Sequence, residues 1–250
     1  MRPRILLFLA ALLLSLPLAI AGLRGLPAFG HYRGPYGDIV NRIAPPERHV
    51  TNMVTAVTFD IRGFDTMGEE FILFAAVTGV VMLLRGSRGE ETSAAPATLP
   101  GRPVRRRSAA VTALGRWLAA LTFLWGLYVV LHAQLTPGGG FQGGAVIGSA
   151  MLLTYLGDGY RAWRRAMPSQ ALDIGEAIGA GGFVLAGLLP MAVGAAFLQD
   201  TLPLGHTSAL LSGGLILVVN LATAFAVACG FAMMFLEFLE ETRAPKDDEE

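Results

Sequence analysis

Long apolar runs divide the chain into segments that are each able to cross a membrane as a helix. A spanning helix needs about 20 mostly apolar residues to cross a hydrocarbon core of about 30 Å. Six stretches meet or approach this length: residues 5–23, about 67–84, 109–131, 141–156, about 174–198 and about 207–238. Because backbone in lipid must satisfy its own hydrogen bonds, these runs predict helices. The pattern therefore predicts an all-α, polytopic membrane protein with about six transmembrane helices.

Composition supports this class and excludes several others. Hydrophobic residues make up 53% of the chain and charged residues 15%, compared with about 25% charged residues in a soluble domain. The 19 basic and 19 acidic residues balance, which excludes a basic nucleic-acid-binding protein. Such an apolar, uncharged balance also excludes intrinsic disorder. The single cysteine, Cys229, excludes a disulfide scaffold and a cysteine-based metal cluster.

The distribution of Lys and Arg predicts that both termini are cytoplasmic. With the N-terminus inside, 13 basic residues fall on inner segments and 5 on outer segments, as the positive-inside rule requires. The first run, with Arg2 and Arg4 before it and small residues after it, also fits a cleavable signal peptide. Because the run is longer than a usual signal core, we expect a retained anchor. Cleavage would leave five helices in the same orientation.

A polar linker divides the predicted membrane helices into two groups. Residues 86–108 are rich in Ser, Ala, Pro, Gly and Arg, which predicts a basic cytoplasmic linker. It separates a two-helix module, residues 1–85, from a four-helix membrane domain, residues 109–239. The module includes an external loop at 24–65, and residues 240–250 form an acidic tail. The absence of an internal repeat argues against a self-sufficient secondary transporter.

Acidic residues cluster just before the second apolar run. Asp65, Glu69 and Glu70 precede an apolar stretch, residues 71–84, that is too short to span a membrane alone. One carboxylate is therefore expected within the membrane boundary, where acidic groups are costly and usually face a bundle interior or an ion path. Helix capping and the helix dipole would also account for one or two of them. These three are candidates for an ion path, and Glu69 is preferred because it shares a helix face with Asp65.

A glycine-rich turn links the third and fourth runs, directly after Gln134 and Leu135. Pro137 fits a helix start, and the glycines permit close backbone approach. Gly140, Gly144 and Gly148 are spaced by four residues, which predicts a face for close helix packing. The predicted turn and packing motif comprises Thr136, Pro137, Gly138, Gly139, Gly140, Gln142, Gly143 and Gly144. His132, just before it, is either an interfacial histidine or a proton carrier in the ion path.

The remaining polar residues have simpler explanations. Asp173 and Glu176 lie near the start of the fifth run, where helix capping accounts for them. The sequence contains no nucleophilic triad, no HExxH-type metal spacing and no cofactor motif. We therefore predict a non-enzymatic protein without a cofactor or a bound metal centre.

Two segments resemble a known family. The run LTPGGGFQGGAV, three residues after His132, resembles the hallmark of the MnhB subunit of the multisubunit Na+/H+ antiporters called Mrp or Mnh. The run VTAVTFDIRGFDTMGEE is similar to a piece near the C-terminal end of the MnhA subunit, and to a small subunit of related membrane-bound hydrogenases. Together the resemblance covers most of residues 50–239. The chain resembles an MnhB-like subunit that carries an extra N-terminal module.

The resemblance implies a bacterial cell-membrane complex that exchanges cytoplasmic Na+ for external protons, with other membrane subunits as partners. It also implies Glu69, the acidic residue of the DTxGE pattern, as a candidate for the sodium path. Met67 stands where Leu is commoner, and the adjacent Glu70 leaves open which carboxylate matters. Three hypotheses follow: an ion-path subunit, a scaffold-only subunit, or a membrane subunit of a hydrogenase-type or complex I-like redox complex.

Overall fold

A computed structural model describes residues 3–26, 30, 34–87 and 108–241 of the chain. Nearly all of the predicted linker 86–108 lies outside the described residues, and so does the acidic tail beyond residue 241. The chain divides into two compact units, residues 1–39 and residues 40–250. The six predicted apolar runs all fall on helices, so the predicted all-α membrane fold is confirmed.

The regular structure of the described residues is helical throughout. The helices are α1 (Pro3–Arg24), α2 (Tyr36–Arg48), α3 (Met53–Ala56), α4 (Gly63–Ser87), α5 (Ala109–Leu131), α6 (Gly140–Asp158), α7 (Tyr160–Ala166), α8 (Ser169–Leu188) and α9 (Leu215–Glu241). A π-helical turn, Val57–Ile61, precedes α4, and a 3-10 turn, Leu189–Val193, continues α8.

Four of these helices are long and apolar enough to cross a membrane: Gly63–Arg85, Ala109–Leu131, Ser169–Val193 and Leu215–Glu240. A shorter apolar helix covers Leu9–Arg24.

The predicted external loop 24–65 is in large part helical, which corrects the expectation of a loop. α2 occupies Tyr36–Arg48 and buries Val40 and Ala44, which lie one turn apart. Pro45 and Pro46 disguise this helix in the sequence, but they fall near its C-terminal end. Asn52 then caps α3, because its Oδ1 accepts the backbone N–H of Val54 at 3.1 Å.

The last membrane helix begins later than its apolar run. The run predicts a helix from about residue 207, but α9 begins at Leu215. Gly213 and Gly214 have φ angles of 83° and 50°, a left-handed conformation that a right-handed helix excludes. The carboxylate of Asp200 then accepts the N–H of Leu215 at 3.0 Å and so satisfies a backbone donor at the helix start.

The fifth run also ends earlier than predicted. It predicts a helix to about residue 198, whereas α8 ends at Leu188 and its 3-10 continuation ends at Val193. Pro190 has no N–H and cannot continue the α-helical hydrogen bonds. Gly194, with a φ of 81°, then terminates the 3-10 turn.

α9 is the central helix of the second unit, and glycines bring two neighbours into contact with its backbone. A Cβ on Gly144 of α6 would lie 2.7 Å from the carbonyl oxygen of Ala224. A Cβ on Gly179 of α8 would lie 2.7 Å from the Cα of Ala226. Such small-residue faces are how membrane helices gain close van der Waals packing.

The order of the contacts gives the direction of each helix. Along α6 and α9, the partners of Gly140, Gly144 and Gly148 advance together, so the two helices are parallel. Along α8 and α9, Gly175 meets Cys229 and Gly179 meets Ala226, so these helices are antiparallel. The described directions are those required of helices that cross a membrane alternately.

We predict that Gly179→Ala destabilises the protein, because the added methyl group overlaps the backbone of α9. Overpacking of this kind costs about 1–3 kcal/mol, enough to lower the unfolding temperature of the full-length protein in detergent by several degrees. Tryptophan fluorescence during a thermal ramp measures this. Gly181→Ala on the same helix is the matched control, since nothing lies within 4 Å of its Cβ position. Equal unfolding temperatures for the two variants would contradict the packing argument.

Candidate functional site

The interface between α4 and α9 carries acidic side chains through the depth of the predicted membrane. Three pairs define it: Thr223 faces the carboxylate of Glu70, Val77 lies against Gly230, and Arg85 bonds to Glu237. The partners advance by seven or eight residues on α4 and by seven on α9, so the helices are parallel. Successive pairs are separated by about 10 Å at 1.5 Å of rise per residue.

Glu70 is the buried carboxylate at the outer end of this interface. Its relative exposure is 3%, whereas Glu69 lies on the exposed side of α4. The spacing argument placed Glu69 on the side of Asp65, and both are exposed, but the carboxylate turned into the bundle is that of Glu70. Its Oε1 has no hydrogen-bond partner in the described part of the chain.

Glu176 is a second buried carboxylate, about one step deeper. It belongs to the third turn of α8, which begins at Ser169, so it does not cap that helix as its sequence position suggested. Its relative exposure is 4%, and its Oε1 lies 2.9 Å from the Cβ position of Gly230. Gly230 therefore leaves the space that this carboxylate fills. Glu176 acts electrostatically on Glu70, and its Oε1 also lacks a hydrogen-bond partner among the described residues.

The inner end of the interface is occupied by ion pairs. Arg85 donates from Nε to Oε1 of the buried Glu237 at 2.7 Å, and from Nη1 to Asp173 at 3.3 Å. One turn further along α9, Glu240 accepts a hydrogen bond from the hydroxyl of Tyr160 at 2.6 Å. The inner carboxylates thus have cationic or hydroxyl partners, whereas Glu70 and Glu176 each have an oxygen without a partner among the described residues.

The two segments that carry the family resemblance contact each other at the outer end. The side-chain amide of Asn52 donates to the carbonyls of Ala133 and Thr136, at 2.7 and 2.8 Å. The hydroxyl of Thr55 donates to the same Ala133 carbonyl at 2.7 Å. Backbone N–H groups of Thr51 and Asn52 bond to the carbonyl of Gln134. The glycine-rich turn is therefore fixed by the segment that leads into α4.

The glycine motif lies directly beside the outer acidic residue. α6 begins at Gly140, three residues after Pro137, so the proline belongs to the preceding turn and does not start the helix. A Cβ on Gly140 would lie 3.0 Å from the Cβ of Thr223 and would overlap the carbonyl of Asn220. Gly140 thus packs on the same turn of α9 that faces Glu70.

The other predicted residues of the motif form the turn and its packing against α5. Gly138 has a φ of 151°, and Gly143 lies against Val130. Thr136 bonds to the carbonyl of His132 at 3.3 Å, and Gln142 is exposed beside Gly139.

Asp65 and His132 are held by local contacts. Asp65 forms an exposed ion pair with Arg62. His132 ends α5, bonds through Nδ1 to the carbonyl of Tyr128 at 3.0 Å and stacks on the Tyr128 ring at 4.0 Å. Neither contact connects these residues with Glu70.

A polar cleft of about 600 Å3 opens at the start of α4, outside the membrane-spanning helices. Arg48 and Asp60 line it and share a hydrogen bond of 2.5 Å, which raises the pKa of the Arg48 guanidinium. Burial raises the pKa of Asp200, which also lines the cleft. The described residues include no cluster of three or more His, Cys, Asp or Glu side chains suited to a metal ion.

Comparison with known proteins identifies the family. The sequence profile described as a domain related to the MnhB subunit of Na+/H+ antiporter matches residues 110–233. A probable K(+)/H(+) antiporter protein of Rhizobium meliloti, which combines the A and B subunits, is 29% identical over 126 residues. These residues are 44% of this chain and 13% of that protein.

Two solved structures have a similar fold. A chain of the membrane-bound sulfane sulfur reductase, an archaeal respiratory membrane complex, matches with a TM-score of 0.73 and 31% identity, over 96% of this chain and 99% of that one. A chain of the Mrp complex from Dietzia sp. matches with a TM-score of 0.68 and 23% identity, over 100% of this chain and 27% of that one. Together with the profile, these matches show that the chain is a multi-pass membrane protein of the family related to the MnhB subunit of Na+/H+ antiporters.

Proposed function

We propose that this MnhB-related subunit contributes the Glu70 carboxylate to the ion path of a multisubunit monovalent cation/proton antiporter. The observation that carries the proposal is the buried, partly unpartnered carboxylate of Glu70 inside a helix that is long enough to span a membrane. Na+ and H+ are the transported ions implied by the family.

The physical argument rests on the cost of an unpaired buried charge. Moving a carboxylate out of water costs several kcal/mol unless a cation or hydrogen bonds compensate for it. Arg85 compensates for Glu237 and Asp173 at the inner end, but no described contact brings an Arg or Lys to Glu70. A mobile proton or cation is then the remaining means of neutralising Glu70. Groups of this kind mark ion pathways in membrane proteins.

The carboxylates are spaced for movement across the membrane. Glu70, Glu176 and the Arg85 cluster follow one another along α4, α8 and α9 at intervals of about 10 Å. Glu176 is near enough to act electrostatically on Glu70. Water or side-chain movement would have to bridge the intervals, as in other intramembrane proton relays.

Other membrane subunits are the expected partners, since the similar structures are chains of multisubunit complexes. α5 presents a broad apolar surface to its surroundings. Its exposed residues include Leu114, Trp117, Leu121, Leu124 and Trp125. Such a surface suits lipid or the apolar helices of neighbouring subunits.

A membrane subunit of a respiratory redox complex is the second candidate. The match to the sulfane sulfur reductase covers 99% of that chain, whereas this chain spans 27% of the matched Mrp chain. Both halves of this protein thus correspond to one whole subunit of a redox complex. The role of Glu70 is the same in both candidates, and the partners differ.

We predict that Glu70→Gln abolishes cation-dependent proton exchange by the assembled complex in everted membrane vesicles. Glutamine keeps the shape of the side chain but cannot release a proton or neutralise a cation. Glu69→Gln is the matched control and is expected to retain most of the exchange, because that residue lies on the exposed side of α4. Native gels of the same vesicles report assembly. Full exchange by an assembled Glu70→Gln complex would favour a scaffold-only subunit.

We predict that the native complex, purified through a tag on this chain, contains antiporter-type membrane subunits and no stoichiometric iron. Iron and acid-labile sulfide analyses measure this directly. Iron–sulfur subunits that co-purify in fixed ratio with the chain would instead establish the redox candidate.

A further inference from the structure

Three buried oxygens at the outer half of the α4–α9 interface receive no hydrogen bond from the described part of the chain. They are Oε1 of Glu70, Oγ1 of Thr223 and Oδ1 of Asn220. The relative exposures of these residues are 3%, 0% and 1%. Most buried polar atoms in proteins have a partner, so three unpartnered oxygens in one region need an explanation.

The positions of these residues bring their oxygens to one part of the interface. Asn220 and Thr223 are three residues apart on α9 and therefore share a helix face. Thr223 faces the Glu70 carboxylate across the interface. The Nδ2 of Asn220 donates to the carbonyl of Val130 at 3.0 Å, which turns the amide oxygen away from that carbonyl.

The backbone of the glycine motif encloses the same place. A Cβ on Gly140 would lie 3.0 Å from the Cβ of Thr223, so a larger residue would displace Thr223 from its position. Thr66, one turn before Glu70, is also buried, but its hydroxyl is already engaged with the carbonyl of Thr58 at 2.5 Å. The hydroxyl of Thr223 has no such bond to a backbone carbonyl among the described residues and can serve as a ligand.

The charge of the group defines what it can bind. Around Glu70 the described neighbours are Thr223, the more distant Glu176, and Glu69 on the exposed side. Among them are acidic and neutral oxygens and no cationic group. Carboxylate, amide and hydroxyl oxygens are the ligands of hard cations, and one nearby carboxylate matches a single positive charge. Protons and alkali cations satisfy both conditions.

We propose that Glu70, Thr223 and Asn220 form one buried site that binds either a proton or a dehydrated alkali cation, so that the two ions compete for it. The inference rests on the proposed role of Glu70 and adds the two residues of α9 that select the cation. In the protonated state the Glu70 carboxyl group carries the proton. When the cation enters, that proton leaves, and the carboxylate, the hydroxyl and the amide oxygen coordinate the cation. The exchange conserves the charge of the site.

The competition is measured by chemical labelling of the purified complex. Dicyclohexylcarbodiimide reacts with protonated carboxyl groups in apolar surroundings, and peptide mass spectrometry quantifies the adduct on Glu70. At constant pH, NaCl is expected to suppress the labelling of Glu70, whereas choline chloride at the same ionic strength leaves it unchanged. NaCl and KCl compared in the same assay rank the alkali cations.

Thr223→Val tests the contribution of α9. Valine keeps the shape of threonine and removes the ligand oxygen, so the Na+ concentration for half-protection should rise about tenfold, the effect of losing one modest ligand contact. Thr154→Val is the matched control, because the hydroxyl of Thr154 already bonds to the carbonyl of Ala150 in its own helix. Its half-protection concentration is expected to equal that of the native complex.

A second readout decides the matter if Glu70 is not labelled. Ligand binding to the folded state raises the unfolding temperature. NaCl, relative to choline chloride, is expected to stabilise the native complex more than the Glu70→Gln and Thr223→Val complexes. Equal stabilisation of all three, or labelling that Na+ does not suppress, overturns the cation site. Loss of exchange in Glu70→Gln together with either result would leave the ion path in place as a proton path, whereas retained exchange would remove both proposals.

Discussion

The contact of α9 with the backbones of α6 and α8 is the constraint on which the rest of this structure depends. Lipid is as apolar as leucine, so membrane helices associate through close packing more than through burial of apolar surface. Gly144 and Gly179 provide that closeness on two sides of α9, where any side chain would meet backbone atoms. With two sides of α9 closed in this way, its polar residue Thr223 faces the third side, toward α4. Glycine spacing on two helices thereby determines where charge is placed in a third.

The two ends of the α4–α9 interface differ in how their acidic groups are compensated, and this difference gives the interface a direction. Glu237 is fully buried yet bonded to Arg85, so its charge has a fixed partner. Glu70 is almost as buried, but one of its oxygens has no partner among the described residues. A fixed cation at the inner end holds its carboxylates in place. At the outer end, the same electrostatic requirement is left to an ion that can leave. An arrangement of this kind closes the path on one side while the other side exchanges its ion.

Much of this architecture was predictable from the sequence, and the exceptions have identifiable causes. Apolar run length locates all six long helices, because each must satisfy its own backbone hydrogen bonds in lipid. The choice between Glu69 and Glu70 depended on the phase of α4, which tertiary packing against α9 determines. Glu176 was hidden for a similar reason: α8 begins seven residues earlier, at Ser169, and Gly230 of another helix makes its space. Apolarity alone therefore finds the spans and leaves their rotation undetermined.

The candidate site also explains why the two resembling segments occur in one polypeptide. Glu70 lies before the linker, whereas Thr223 and Asn220 lie after it, so the site contains residues from both sides of the predicted boundary. Asn52 joins the two sides through its bonds to Ala133 and Thr136, which hold the glycine-rich turn against the segment leading into α4. Because Gly140 follows this turn and packs on the turn of α9 that faces Glu70, displacement of the glycine-rich turn would disturb the site without touching a carboxylate. The glycine motif and the acidic helix are thus parts of one structural unit, and neither supplies the site alone.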